Sequence, residues 1–308
     1  MSHTTTSSDH HTLPSGIWTA LVTPFDQNGQ LDLPAFADLV QWQIEQGVQG
    51  LVVCGSTGEA SALSLKERLQ LLEVCLQYAN GRVPVIAGAG HNDTQQAQRL
   101  QQHMGQAGAY ATLQTVPWYN KPSQEGLYRH FCCVASSCDT PFLAYNVPAR
   151  AGVNIDIDTL VRLAKTCPHM VGIKDANAQA ARLQCLVHDL ALIRPDMVVL
   201  SGEDHFILPL LALGGHGVIS VVANVAAADM VQLWQAWCNQ EIEQARQLAH
   251  RITKLAQLLF RQTNPMGVKA ALHLMNKAQL TLRLPLYPPN EQQIQRLRTG
   301  LSQWGLLP

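Results

Sequence analysis

Eight short apolar runs, recurring about every thirty residues and separated by amphipathic stretches of helical period, predict an α/β chain of the (β/α)8 TIM-barrel type with a helical appendage at its C-terminal end. The runs are IWTALVT (Ile17 to Thr23), LVVCG (Leu51 to Gly55), PVIAGAG (Pro84 to Gly90), YATLQTVP (Tyr110 to Pro117), FLAYNVP (Phe142 to Pro148), MVGIKDA (Met170 to Ala176), MVVLSGE (Met197 to Glu203) and GVISVVAN (Gly217 to Asn224). Near-continuously apolar strands that alternate with helices require a parallel sheet with right-handed crossovers, and eight such units are what a closed barrel takes. The helical segments carry their own punctuation. Phe36, Leu39, Val40 and Ile44 recur behind a first turn that holds Pro34, and Leu65, Leu69, Leu72 and Cys75 recur behind Ser64 as N-cap. After Asn224 the strand signal stops, and Glu241 to Phe260 is the longest helical stretch of what remains. The expected division is a flexible polar tail over 1–15, a catalytic barrel over 16–240 and a C-terminal helical domain over 241–308.

With 308 residues the chain can bury a large core as one α/β domain, or as one domain with an appendage. Hydrophobic residues make up 47% and the formal charge is -1, which argues against disorder and against a nucleic-acid backbone as partner. The tryptophans at 18, 42, 118, 234, 237 and 304 are dispersed rather than interleaved with basic runs, so they read as packing residues. No apolar run reaches the length of a bilayer span, and MSHTTTSSDHHTLPSG has neither a basic nor an apolar leader region; a cytoplasmic chain without a membrane partner is the expectation. Eight cysteines without a C-x-x-C pair read as reduced, structural residues. The histidines include His10-His11 and His216 but form no H-x-x-x-H or H-E-x-x-H pattern, so no metal is expected. Gly88-Ala89-Gly90 lacks the G-x-G-x-x-G spacing, so no nucleotide cofactor is expected either.

The sharpest chemical signal is Lys174, which follows Met170-Val171-Gly172-Ile173 and precedes Asp175. An ammonium at the mouth of a buried strand is costly to keep charged, so its pKa should fall and free the amine as a Schiff-base nucleophile. A lone lysine at a strand end could equally reach solvent. Lys174 is not alone, however. Tyr145 ends the preceding strand and can shuttle protons, while Arg150, beyond Pro148, can clamp a carboxylate bidentately. Gly55-Ser56-Thr57-Gly58-Glu59 follows the second strand, and its turn offers backbone N–H groups and two hydroxyls to an anion. Catalytic groups of such barrels sit at the C-terminal ends of the strands, so these residues should converge on one mouth.

In GSTGE, IAGAG, VPWYNKPSQEGLYRHF, YNVPAR, GIKDA, LSGED, GGHGVISVVANVA, NPMGVKAALHLM and LRLPL, from about Gly16 to Leu307, the chain closely resembles the dihydrodipicolinate synthase family. The wider group of pyruvate-dependent aldolases, N-acetylneuraminate lyase among them, shares the barrel, the lysine and the tyrosine, and YNVPAR narrows the choice. The resemblance implies that Lys174 forms a Schiff base with pyruvate and that the resulting enamine adds to L-aspartate 4-semialdehyde, without cofactor or metal. It implies Tyr145 as the central acid and base, hydrogen-bonded to Thr57 and through it to Tyr119, which in the family reaches in from a neighbouring subunit of a homotetramer built as a dimer of dimers. It further implies Arg150 as the holder of the semialdehyde carboxylate, the backbone around Ser56 and Thr57 as the seat of the pyruvate carboxylate, and Gly202 and Ile219 as lining of the lysine pocket. Ser56 stands where the family usually has threonine; the hydroxyl survives. In members inhibited by lysine, the effector sits at the dimer interface against a carboxylate, histidines and a tyrosine. Here the matching positions hold Gln96, Leu65, Arg68, Ser61 and Trp118, with Asn92 kept. Two other readings remain open at this stage: another pyruvate aldolase, acting on a sugar acid or 4-hydroxy-2-oxoglutarate, and a non-catalytic paralogue that binds an oxo acid.

Overall fold

A computed structural model of the chain describes residues 13–307, so most of the expected polar tail lies outside the described residues. Eight parallel strands close in sequence order into a barrel. They are β1 (Gly16–Ala20), β2 (Gly50–Val53), β3 (Val85–Gly88), β4 (Ala111–Thr115), β5 (Phe142–Asn146), β6 (Met170–Asp175), β7 (Val198–Ser201) and β8 (Gly217–Ser220). Around them run α1 (Leu33–Glu45), α2 (Leu65–Ala79), α3 (Thr94–Gln106), α4 (Gln124–Ala135), α5 (Pro148–Ala151), α6 (Ile157–Thr166), α7 (Ala180–Ile193), α8 (Ile207–Ala212) and α9 (Ala223–Cys238). The chain then continues through α10 (Ile242–Leu259), α11 (Met266–Leu274) and α12 (Glu291–Trp304). The α2 start behaves as its sequence dictates: Ser64 accepts from the Glu67 N–H and Glu67 returns the bond, a capping box. Among the described residues, no helix is long and apolar enough to cross a membrane.

Because side chains alternate along a strand, each strand feeds two cores. Trp18, Val52, Ile86, Leu113, Leu143, Val171, Leu200 and Ile219 fill the barrel interior. Their neighbours Ile17, Leu51, Val53 and Val85 point outward to the helices. Leu13, expected in the flexible tail, is 4% exposed and joins the interior cluster, so ordered packing begins before the first strand.

One irregularity decides what the mouth contains. Phe142 pairs with Met170, but the next residue, Leu143, pairs with Gly172, a slip of one residue that brings Tyr145 opposite Lys174. Without the slip Tyr145 would face Ile173, whose side chain lies on the helical side of the sheet. Only glycine fits at 172, because a Cβ there would lie 2.4 Å from the Val198 carbonyl oxygen.

The C-terminal helices, expected as a separate domain, share one continuous core with the barrel. Leu248, Ile252, Leu255, Val268, Leu272 and Leu301 pack in the same cluster as Ile17, Leu21, Val22 and Phe25. Inside this junction Lys269 of α11 donates to Glu59 Oε1 at 2.6 Å and to the Thr23 carbonyl at 2.8 Å, with both side chains essentially inaccessible. Glu59 also accepts the Arg283 N–H at 3.1 Å, and the Arg283 guanidinium bonds the carbonyls of Gly29 and Ala62 and the Glu67 carboxylate. Removing one partner of such a pair leaves an uncompensated buried charge, a loss of about 3–5 kcal/mol.

Candidate active site

Tyr145 and Lys174 occupy paired positions on β5 and β6 and both point into the barrel. Each is 6% exposed, and the Lys174 ammonium nitrogen lies 4.4 Å from the centre of the Tyr145 ring. Burial lowers the Lys174 pKa to about 8 against the opposing pull of the Asp204 and Glu203 carboxylates; the Arg150 charge lowers it further. At pH 7 about a tenth of the amine is then neutral, against roughly one part in three thousand for an ordinary lysine. Burial also pushes the Tyr145 phenol up to about 12, so it holds its proton at neutral pH. Lys269 is as deeply buried as Lys174, yet Glu59 binds its ammonium directly, whereas no hydrogen-bond partner touches the Lys174 nitrogen among the described residues. The two lysines differ in what the fold gives them, and only Lys174 is left with an amine free to react.

The adjacent Asp175 has its charge removed from the site. Its carboxylate takes two bonds from Arg182, at 2.8 and 3.1 Å, one from Asn146 and one from the Asn177 N–H. Asp204 is likewise fixed: it accepts from Ser220 and from the N–H groups of Val221 and Val222 at the start of α9, so it anchors the end of β8 beside Ile219. Glu203 is freer. Burial and the neighbouring Asp204 raise its carboxyl to about 7, and it exerts its charge on both Lys174 and Tyr145.

The loop after β2 is bent by Cys54 and Glu59, both in the left-handed region at φ of 54° and 53°. Gly58, Glu59 and Ala60 turn their N–H groups back onto Gly55 and Ser56, while those of Ser56 and Thr57 bond nothing among the described residues. Two adjacent backbone donors left without a partner suit a carboxylate. Burial raises the Tyr145 phenol, and among the influences that act against it is the Ser56 side chain; Thr57, the partner that the resemblance implied, is not among them. The Thr57 hydroxyl instead accepts from Asn264 Nδ2 at 3.0 Å. One residue step along the loop exchanges the two sides, and the sequence offers two adjacent hydroxyls with no signal to choose between them.

Gly202 lies where the ends of β6 and β7 touch: its N–H bonds the Asp175 carbonyl at 2.7 Å, and a Cβ would meet Ala176 at 2.7 Å. Ile219 packs in the interior cluster with Tyr145. Arg150 is exposed on the rim, on α5, with Nη2 bonded to the Asn264 carbonyl at 3.0 Å. A cleft of about 550 Å3 opens above these groups. Its lining includes Ser56, Tyr145, Arg150 and Asn264 together with Ser61, Arg68, Asn92 and Trp118. Of the expected residues Ser56, Tyr145 and Arg150 line the cleft; Lys174, Thr57, Gly202 and Ile219 lie outside its lining, and so does Tyr119. It is 88% exposed, at a φ of 73° that is strained for a ring-bearing side chain, and its loop is held by Asn92 and by the Ala151 carbonyl. Sequence reasoning missed Asn264, Glu203 and Asp204. NPMG and LSGED mark their segments, but nothing local shows that they face the mouth.

The fold and the site define the chain first as a (β/α)8-barrel protein with a buried, partly neutral amine and a phenol at its catalytic end. The chain belongs to the dihydrodipicolinate synthetase family, whose pattern it matches over residues 13–304. It is 44% identical over 293 residues to the 4-hydroxy-tetrahydrodipicolinate synthase of Oleidesulfovibrio alaskensis, covering 95% of this chain and 99% of that protein. Among solved structures, a monomeric dihydrodipicolinate synthase variant superposes with a TM-score of 0.95 at 41% identity, covering 97% of this chain and 99% of its own. The dihydrodipicolinate synthase of Thermotoga maritima gives 0.94 at 41% identity, with 96% and 100% covered.

If Lys174 is the reacting amine, borohydride in the presence of pyruvate should add one reduced adduct, and Lys174→Ala should abolish it. A mass shift that persists in that variant, or maps to Lys269 or Lys121, would overturn the assignment. Only the neutral amine attacks, so the single-turnover rate of adduct formation should rise about tenfold per pH unit below about 8 and level off above it. A rate still climbing at pH 10 would show an ordinary lysine.

Proposed function

We propose that this chain condenses pyruvate with L-aspartate 4-semialdehyde to 4-hydroxy-tetrahydrodipicolinate, a lyase reaction that runs through a Schiff base on Lys174 with no metal or other cofactor. The observation that carries the reading is the buried Lys174 amine, left without a bonded counter-charge and set opposite Tyr145 by the strand slip. The pyruvate carboxylate is received by the N–H groups of Ser56 and Thr57, which places the ketone carbon beside the amine. Lys174 attacks that carbon, and Tyr145, which carries its proton at neutral pH, protonates the departing hydroxyl so that water leaves and the iminium forms. Loss of a methyl proton gives the enamine, whose carbon adds to the aldehyde of the second substrate. The amine of that substrate then displaces Lys174 as the ring closes, and the lysine is returned unchanged. Ser56 is the hydroxyl that relays protons to and from Tyr145. Thr57 keeps a role in seating the carboxylate and the loop. Gly202 and Ile219 line the pocket, and Arg150 receives the semialdehyde carboxylate at the rim. Relatives between 41% and 44% identical over almost their full length carry the synthase name, so the other aldolase and the binding paralogue are not favoured.

A coupled assay with both substrates tests the reading directly. Turnover is expected in the unaltered protein, and Tyr145→Phe should lose about 10²–10⁴-fold in turnover while retaining pyruvate binding. Near-normal turnover of that variant would remove the relay. No product from the unaltered protein would remove the function.

The assembly we propose is a homotetramer, a dimer of dimers, in which Tyr119 enters a neighbouring subunit's mouth. Tyr119, Leu284 and Tyr287 are 88%, 78% and 72% exposed and adjoin the cleft-lining residues Trp118, Pro285 and Leu286, which makes them poor groups to leave in water. Specific activity should fall as the protein is diluted through its dissociation range in sedimentation. Full activity in a sedimenting monomer would sink the proposal.

Feedback by lysine is not expected. Arg68 occupies the cleft with Nη2 donating to the Ala60 carbonyl at 2.6 Å, and its guanidinium opposes an incoming ammonium, while Gln96 supplies no charge to offset it. A steady-state titration with L-lysine should leave the rate unchanged, and inhibition at sub-millimolar concentration would contradict this.

A further inference from the structure

All eight cysteines carry free thiols, and two of them touch: Cys132 Sγ on α4 lies 3.6 Å from Cys167 Sγ, the residue that ends α6. A seam along the two helices sets them together. Thr159 donates to Gln124 Oε1 at 2.9 Å, Arg162 bonds Glu125 at 2.5 Å and lies 3.5 Å from the centre of the Tyr128 ring, and Cys167 then meets Cys132. Successive contacts, each about one turn further along, hold α4 and α6 in one register. At the last of them the Cys167 N–H bonds the Leu163 carbonyl at 2.8 Å, which fixes its backbone, and its side chain is buried in the core that contains Phe131, Phe142 and Met170. Cys132 packs against the same core from a partly exposed position. Only Pro168 and His169 separate Cys167 from the start of β6, so the pair lies at the end of the barrel opposite the mouth, where a change bears on stability.

We propose that Cys132 and Cys167 form a reversible disulfide, a modification site that answers hydrogen peroxide by stapling α4 to α6. Bonded sulfurs stand about 2 Å apart, so roughly 1.5 Å remains to be closed, a distance that small turns about the two Cα–Cβ bonds cover. Exposure sets the order of events. The partly exposed Cys132 sulfur attacks one peroxide oxygen, the O–O bond breaks, and a sulfenic acid and a water result. Burial pushes the Cys167 thiol up to about 12, and its hydrogen bond with Cys132 acts in the same direction, so it waits as a thiol. Its sulfur then attacks the Cys132 sulfur, the S–O bond breaks, and the leaving hydroxide takes the Cys167 proton as a second water. Two thiols are oxidised by two electrons and one peroxide is reduced. A dithiol reverses the step by exchange. The loop closed by the bridge, residues 132–167, encloses β5 and α5 and with them Tyr145 and Arg150. Cross-linking restricts the unfolded chain and changes little in a folded state where the sulfurs already touch, so the bridge guards this segment against unfolding from outside the mouth.

The test treats the intact protein with a slight excess of hydrogen peroxide, alkylates the remaining thiols and maps the peptides. One cross-linked pair should join Cys132 to Cys167, two hydrogens lighter than the free pair. The thermal midpoint should rise by about 5 °C, and dithiothreitol should restore both the mass and the midpoint. Cys132→Ser should abolish the cross-link and the rise. Cys167→Ala should leave the Cys132 sulfenic acid without its partner, to be trapped by dimedone. Mapping in the unaltered protein decides even if a variant fails to fold. A cross-link that maps to Cys133 or Cys138, overoxidation of Cys132 without a bridge, or a bridge that leaves the midpoint unchanged or lower overturns the proposal.

Discussion

The bond on which the mouth depends is the buried pair between Lys269 and Glu59. Glu59 is the last residue of GSTGE, sits in a left-handed conformation, and ties that loop at once to α11 through Lys269 and to the segment before α12 through the Arg283 N–H. A barrel loop at the end of a strand is ordinarily a mobile connection over the surface. Here it is fixed from the far side by a charge pair that must stay together, because separation would strand either ion in a dry interior. The position of Ser56 at the mouth and the bond of Thr57 to Asn264 follow from where Glu59 is held. The C-terminal helices are therefore structural members of the mouth, and the continuous core beneath them makes the attachment rigid.

The electrostatic economy of the site rests on the same contrast between paired and unpaired burial. Asp175, directly after Lys174, could have held the amine charged. The Arg182 fork and the Asn146 and Asn177 groups take it up on the other face of the sheet instead. What reaches Lys174 is the more distant field of Asp204 and Glu203, enough to moderate the effect of burial and too weak to cancel it. The result is an amine whose protonation changes near neutral pH, beside a phenol whose protonation does not.

Much of this was legible in the sequence because strands and helices of a barrel have strong local periods. Six of the eight strands fall inside the apolar runs and the other two, β1 and β2, begin one residue earlier at a glycine; the runs overhang the strands at their C-terminal ends because the mouth residues, such as Cys54, Val147 and Gly202, are also small or apolar. Ser64 as a cap, Pro34 in a first turn and Lys174 at a strand end were readable from neighbours within a few positions. What was not readable depends on residues far apart in the chain. Asn264 meets Thr57 across 207 positions and Lys269 meets Glu59 across 210, and no local pattern encodes either. The division of roles between Ser56 and Thr57 was hidden for a different reason: two hydroxyls in succession along a bent loop carry no local mark of which partner each will meet. The appendage looked separate because its strand signal was absent, although its apolar face belongs to the barrel's own core.

The late position of Asn264 and Lys269 sets an order on the birth of the molecule. A ribosome completes β8 about fifty residues before it reaches Lys269, an interval of several seconds at ordinary rates of synthesis. During that interval the barrel can close around Trp18, Val52 and Ile219, and the amine of Lys174 already stands on its strand. The GSTGE loop, however, still lacks the ion that seats Glu59. The mouth is therefore completed only when the helices that hold its loop have been made.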